Sequence, residues 1–182
     1  MIIRDGTFSL RNSPIWIRNV SISGNVGDAI ELGSNNIADI SGLYVNGATK
    51  GIDLAGDSVK VTLRNSTFTS IGGTVFKSTP ESEWNVTNTV INGATGDVFD
   101  LRSENTLFVA GNTFKGTIGG SLFSFEGTTA TEVLQGSIGN INNVTSFGAP
   151  ICDTGSGSFT GEIEIIEGTV VTVLDDGMAP CN

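Results

Sequence analysis

The chain has 182 residues, with 19 acidic and 9 basic side chains and no histidine, for a formal net charge of −10. That balance excludes a phosphate-tracking nucleic-acid face and every triad or metal site built on imidazole. Gly, Thr, Ser and Asn make up about 44% of the chain and only 15% is charged, a composition that excludes a helical bundle and predicts an all-β protein. No apolar run approaches the roughly 18 residues of a membrane span, so neither a membrane nor a nucleic acid is expected as a partner.

The opening residues 1–12 lack the long apolar stretch and small-residue cleavage site of a signal peptide. From Phe8 onward the apolar residues recur at a fixed interval, the mark of a repeat architecture. Phe8 and Leu10 open one register, continued by Ile30, Ile52, Phe76, Phe99, Phe123 and Phe147. Ile17, Ile40, Leu63, Val86 and Val109 form a second register at steps of 23, and Ile22, Val45, Phe68, Ile91 and Phe114 a third, continued to Ile138. Three registers per repeat predict three short strands per coil, each alternating apolar-in and polar-out. Phe8 and Leu10 then belong to a coil whose earlier strands would precede residue 1. Such an open end exposes core and strand edges and calls for a partner or for chain upstream.

Turn residues repeat with the same period. Asn19, Gly42, Asn65, Asn88 and Gly111 share one column, all types that tolerate a left-handed backbone, and stacked Asn side chains there can hydrogen-bond along the stack. Gly24, Gly47, Ser70, Gly93, Gly116 and Gly139 form another column, and Gly27, Gly73, Gly96 and Gly119 a third, with Gly33, Gly56 and Gly127 after the third strand. About six coils of this kind form residues 1–147. Residues 148–182 form an acidic C-terminal cap or interaction segment, since all eight charges after Lys115 are negative. Within it, residues 161–174 read as two strands around Glu167-Gly168, a hairpin-like cap or a strand pair that joins subunits.

A coil of about 23 residues with three strands and Asn or Gly at its first bend resembles the right-handed parallel β-helix of the pectin-lyase-like superfamily. The resemblance implies a rigid rod, and enzymes of that superfamily set the sites to test. The polygalacturonase pattern is absent: there is no Asn-Thr-Asp, no Ser/Gly-His-Gly and no Arg-Ile-Lys. The outward column of the third strand, Glu31, Asp53, Lys77 and Asp100, is the catalytic candidate, because carboxylates on neighbouring rungs lie near the roughly 5 Å spacing of a retaining glycosidase pair. The same column also reads as an ordinary surface charge ladder. Asp153, Asp175 and Asp176 are candidate oxygen ligands for a hard cation, though no loop motif supports them, and no cofactor is expected. Cys152 and Cys181 could close a disulfide loop in an oxidising compartment.

Trp16 and Phe108 fall on outward positions of one sheet, four coils apart, and Trp84 falls in a core-facing column. Trp16 and Phe108, with Ile163, Ile165, Val171 and Val173 of the terminal strands, are the expected subunit-interface residues. The sequence thus points first to a non-enzymatic virion structural protein. It resembles the compact solenoids that tailed phages use as spikes, fibres or capsid-decorating cement, working as a homotrimer attached to a capsid shell or tail. A carbohydrate-binding or polysaccharide-degrading protein, and a secreted or cell-surface adhesin, are the alternatives.

Overall fold

A computed structural model of the chain describes residues 2–4, 7–11, 14–24, 27–102, 104–126, 131–146, 151–153, 158–160, 163–167 and 170–174, with side chains described between 7 and 124. Every regular element among them is a β-strand. A leading partial turn holds β1 (Ile2–Arg4) and β2 (Phe8–Leu10). The first full turn holds β3 (Ile15–Arg18), β4 (Ser21–Ser23) and β5 (Asp28–Leu32), and the second β6 (Ile37–Ser41), β7 (Tyr44–Asn46) and β8 (Lys50–Leu54). β9 (Lys60–Arg64), β10 (Thr67–Ile71) and β11 (Phe76–Lys77) make the third, and β12 (Glu83–Thr87), β13 (Val90–Ala94) and β14 (Phe99–Arg102) the fourth. The fifth turn is β15 (Thr106–Ile118), which runs through the first bend as one strand, and β16 (Phe123–Glu126).

Each strand pairs in parallel with its equivalent one turn away, which makes the molecule a parallel β-solenoid of about five turns and three sheets. The first sheet stacks β3, β6, β9, β12 and the first half of β15. The second stacks β1, β4, β7, β10, β13 and the second half of β15, and the third runs from β2 to β16. β1 pairs with β4, Ile3 opposite Ile22. The second strand of the leading turn therefore lies within the chain, and the expectation that it precedes residue 1 is corrected.

The predicted registers are the core columns. Ile22, Val45, Phe68, Ile91 and Phe114 pair rung on rung, and all are fully buried. Like side chains stack because one turn places each residue directly over its equivalent at about 4.8 Å. On the third sheet the columns become aromatic: the Phe76 and Phe99 ring centroids lie 4.9 Å apart, and Phe99 and Phe123 stack at 5.2 Å with rings 7° from parallel.

The first bend is one left-handed residue per turn, as expected: Asn19, Gly42, Asn65, Asn88 and Gly111 have φ between 48° and 64°. The turn after the third sheet is different. Its left-handed column is Asn35, Ser58, Glu81 and Glu104, spaced by 23, rather than the glycines that follow that strand. Two of these backbones are held by the next turn: Asn35 N–H donates to the Asp57 carbonyl at 3.0 Å and Ser58 N–H to that of Pro80 at 3.3 Å.

Beyond the fifth turn the interval lengthens. β17 (Thr131–Ser146) pairs with β15 so that Phe114 lies opposite Ile141, and β18 (Ile151–Asp153) pairs with β16 so that Phe123 lies opposite Ile151. Ile138 therefore does not continue its column, Ile151 takes the rung expected of Phe147, which itself lies outside the described residues, and Gly139 lies opposite Asn112 rather than Gly116. The chain closes on β19 (Ser158–Thr160), which pairs with β17, and on β20 (Ile163–Glu167) and β21 (Val170–Leu174), an antiparallel hairpin docked through β20 onto β17.

Candidate functional site

The core columns fix the register of the third sheet, so its outward residues form one vertical row. Ser9, Glu31, Asp53, Lys77, Asp100 and Ser124 occupy successive rungs. The four residues predicted as a catalytic row are thus brought together, Glu31 directly beside Asp53 and Lys77 between Asp53 and Asp100.

Their partners decide what the row can do. Ser9 Oγ donates to Glu31 Oε1 at 2.9 Å, and Arg11 lies 3.7 Å from the same oxygen. Lys50, on the strand of Asp53, bridges Asp53 Oδ2 at 2.8 Å and Asp28 Oδ2 at 3.0 Å. Burial opposes the Lys50 charge, yet the hydrogen bonds to Asp53 and Asp28 outweigh it and hold its ammonium above the usual lysine range. Burial pushes the Asp53 carboxyl up, and the hydrogen bond from Lys50 only partly offsets it. Asp100 is buried, with Arg102 Nη2 at 3.7 Å from its Oδ2. A raised carboxyl beside a second carboxylate is the arrangement a general acid needs. Here each acid is also tied to a cation of the same sheet, the arrangement of a structural ion network.

The first sheet carries a second cluster. Outward positions there read Trp16, Asp39, Thr62, Asn85 and Phe108. Arg64 makes a bidentate pair with Asp39, at 2.5 Å and 3.2 Å, and Arg18 Nη2 reaches Asp39 Oδ2 at 2.5 Å. Those bonds, Arg64 first, hold the Asp39 carboxyl below its ordinary value. Trp16 is 66% exposed, Ile37 55% and Phe108 39%. Trp16 and Phe108 stand four rungs apart, roughly 19 Å, with three polar rungs between them. An open groove of about 320 Å³ runs beside that column, lined by Ile37, Lys60, Thr62, Glu83, Asn85 and Thr106 among others.

Trp84 is core-facing, 2% exposed, and its Nε1 donates to Ser78 Oγ at 3.3 Å. The sequence reading missed the buried polar ladders. Asn36, Val59, Ser82 and Asn105 form one column at 23-residue steps, and Val20, Leu43, Ser66, Thr89 and Asn112 another, all buried. Asn36 Nδ2 donates to the carbonyls of Leu10 and Gly33 at 3.1 and 2.8 Å, and Ser66 Oγ accepts the Leu43 N–H at 3.2 Å. Asn105 is equally saturated, bonded to Ser78 Oγ and to the carbonyls of Thr79 and Arg102. Their signal was the period itself, read on polar rather than apolar residues.

Among the described residues no group of three or more His, Cys, Asp or Glu side chains is arranged to hold a metal ion. Asp175, Asp176 and Cys181 lie outside the described residues. So do the side chains of Cys152, Asp153, Ile163, Ile165, Val171 and Val173, whose strands are described as backbone only. In comparison with known proteins, no family model matches this chain, and neither a curated protein nor a solved structure does.

Proposed function

We propose that the chain is a non-enzymatic structural rod of a virion, a capsid-decoration or spike or fibre component that works as a homotrimer on a larger protein shell. The observation that supports this most directly is the uninterrupted stacking of five turns on a core of aligned apolar columns, with buried Asn and Ser side chains bonded to the backbone of neighbouring turns. Such a rod is stiff because each turn templates the next and little of its buried polar surface is free to rearrange. Sedimentation of the full chain tests it: a stable species near three times 18.9 kDa is expected, and a monomer at every concentration overturns the reading.

A second reading, a carbohydrate-binding or polysaccharide-cleaving protein, is favoured by the in-register row of Glu31, Asp53, Lys77 and Asp100. Its test is a cleavage screen over acidic and neutral polysaccharides. A hydrolysed glycan whose cleavage is lost in both Glu31→Gln and Asp53→Asn would establish it, and cleavage unchanged in both would remove it.

A further inference from the structure

The charged residues of the solenoid are not spread evenly around its section. Residues 19–27, 42–49, 65–76, 88–96 and 111–123, the arcs that run from the first bend through the second sheet to the next turn, contain one charged side chain, Lys115. The first and third sheets carry the Asp39, Asp53 and Asp100 ion pairs described above, and on the first sheet Lys60 Nζ also lies 2.7 Å from Glu83 Oε1. On the outer face of the second sheet the rungs from β4 to β15 read Ser21, Tyr44, Thr67, Val90 and Thr113, aligned in register, and the rung before them is β1, with Ile2 opposite Ser21 and Arg4 opposite Ser23. Tyr44 is 42% exposed and Val90 is partly exposed. The same arc continues into an open notch of about 380 Å³ walled by Ile71, Gly72, Ala94, Thr95 and Thr117 among others.

From this asymmetry we infer that the outer face of the second sheet is where copies of this chain meet, an inference that rests on the assembling rod proposed above. The charge distribution selects the occupant. A chain of net charge −10 repels its own copies, and any contact through the first or third sheet would strip water from their ion pairs. Contact through the central rungs of the second sheet buries hydroxyls, amides, Tyr44 and Val90 and leaves charge only on its two end rungs, at Arg4 of β1 and at Lys115, which matches the depletion of charge at the centre of protein interfaces. The face repeats the same spacing from rung to rung, which lets its side-chain rows interdigitate with those of an identical face. Five rungs of a three- to five-residue strand cover roughly 300 Å², below the roughly 800 Å² per partner of a standard interface. The equally uncharged bends and notch must therefore take part in the contact.

The test is sedimentation velocity on the full chain over the micromolar range, with circular dichroism confirming that each variant retains its strands. Thr67→Asp, at the centre of this face, is expected to dissociate the oligomer to the 18.9 kDa chain. Thr62→Asp, on the same turn but facing out of the first sheet, is expected to leave it intact. Tyr44→Ala, which removes an exposed ring without adding charge, is expected to weaken association at least tenfold. If the wild type assembles and Thr62→Asp but not Thr67→Asp and Tyr44→Ala dissociates it, this face is wrong while the assembling rod stands. A wild type that stays monomeric throughout overturns both.

Discussion

Asn112 Oδ1 accepts the backbone N–H of Thr89 at 2.9 Å, one turn below it in the same buried column, while its Nδ2 donates to the Val86 carbonyl at 2.9 Å. A single amide thus closes two backbone groups at the bend between the first and second sheets. Removing it leaves a buried donor and a buried acceptor without partners, which costs more than the two bonds alone. Asn112→Ala is expected to lower unfolding free energy by about 2–4 kcal/mol, read by urea denaturation. A loss below about 1 kcal/mol would show that water or a neighbouring group replaces the amide.

The two acids Asp39 and Asp53 are expected to act on stability with opposite pH signatures. Arg64 and Arg18 lower the Asp39 carboxyl from its ordinary 3.8, so its contribution is fully present above that value and lost as pH falls through the lowered one. Burial raises the Asp53 carboxyl, so folding is favoured most when it is protonated, and that advantage is lost as pH rises through the raised value. Asp39→Asn is therefore expected to cost up to about 1 kcal/mol at neutral pH, the size of a half-exposed pair, with the gap to wild type closing in acid. Asp53→Asn is expected to be neutral or stabilising at neutral pH, since Lys50 keeps Asp28 at 3.0 Å. Urea titrations at a series of pH values check both. A larger neutral-pH loss for Asp53→Asn than for Asp39→Asn contradicts the argument.

The aromatic column of the third sheet gives a packing prediction. Phe99 lies between Phe76 and Phe123, at 4.9 and 5.2 Å between centroids, and all three are fully buried. Phe99→Ala opens a cavity between rings that the neighbouring turns hold in place, so a loss of about 3–5 kcal/mol is expected. Phe8 terminates the same register on a rung where it is only partly buried, and Phe8→Ala is expected to cost well under half as much. Equal losses in thermal denaturation would mean that burial does not set the hierarchy along the column.

The three columns and the first bend were legible because core position and left-handed backbone both restrict residue type, so the period shows in the letters. Asn35, Ser58, Glu81 and Glu104 are left-handed without any such restriction, since neighbouring turns impose the conformation through the backbone. The drift to Ile141 was hidden for a related reason: Ile138 also fits the apolar pattern, and only strand pairing selects between them. The candidate row on the third sheet followed from alternation. Lys50, three residues before Asp53 and off the row, could not be assigned to it without side-chain geometry. The scarcity of charge on the second sheet, confined to Arg4 and Lys115 on its end rungs, was present in the letters throughout. It emerges when charge is counted around the turn rather than along the chain.

Glycines separate two demands that sequence alone conflates. Neither Gly51 nor Gly72 has a left-handed φ, so any requirement for glycine at these positions is one of space. A Cβ on Gly51 would stand 2.5 Å from the Val75 carbonyl oxygen and 2.8 Å from Phe68 Cδ1, and neither the backbone of the next turn nor a buried ring can retreat cheaply. A Cβ on Gly72 would meet the Ala48 carbonyl oxygen at 3.6 Å, an ordinary contact. Gly51→Ala is expected to destabilise by about 1–3 kcal/mol through overpacking. Gly72→Ala is expected to stabilise by a few tenths to about 1 kcal/mol, because it removes backbone freedom from the unfolded chain alone. Paired denaturation curves decide it. If Gly72→Ala instead destabilised the chain as much as Gly51→Ala, the close approach at Gly51 would not be the reason that position carries glycine.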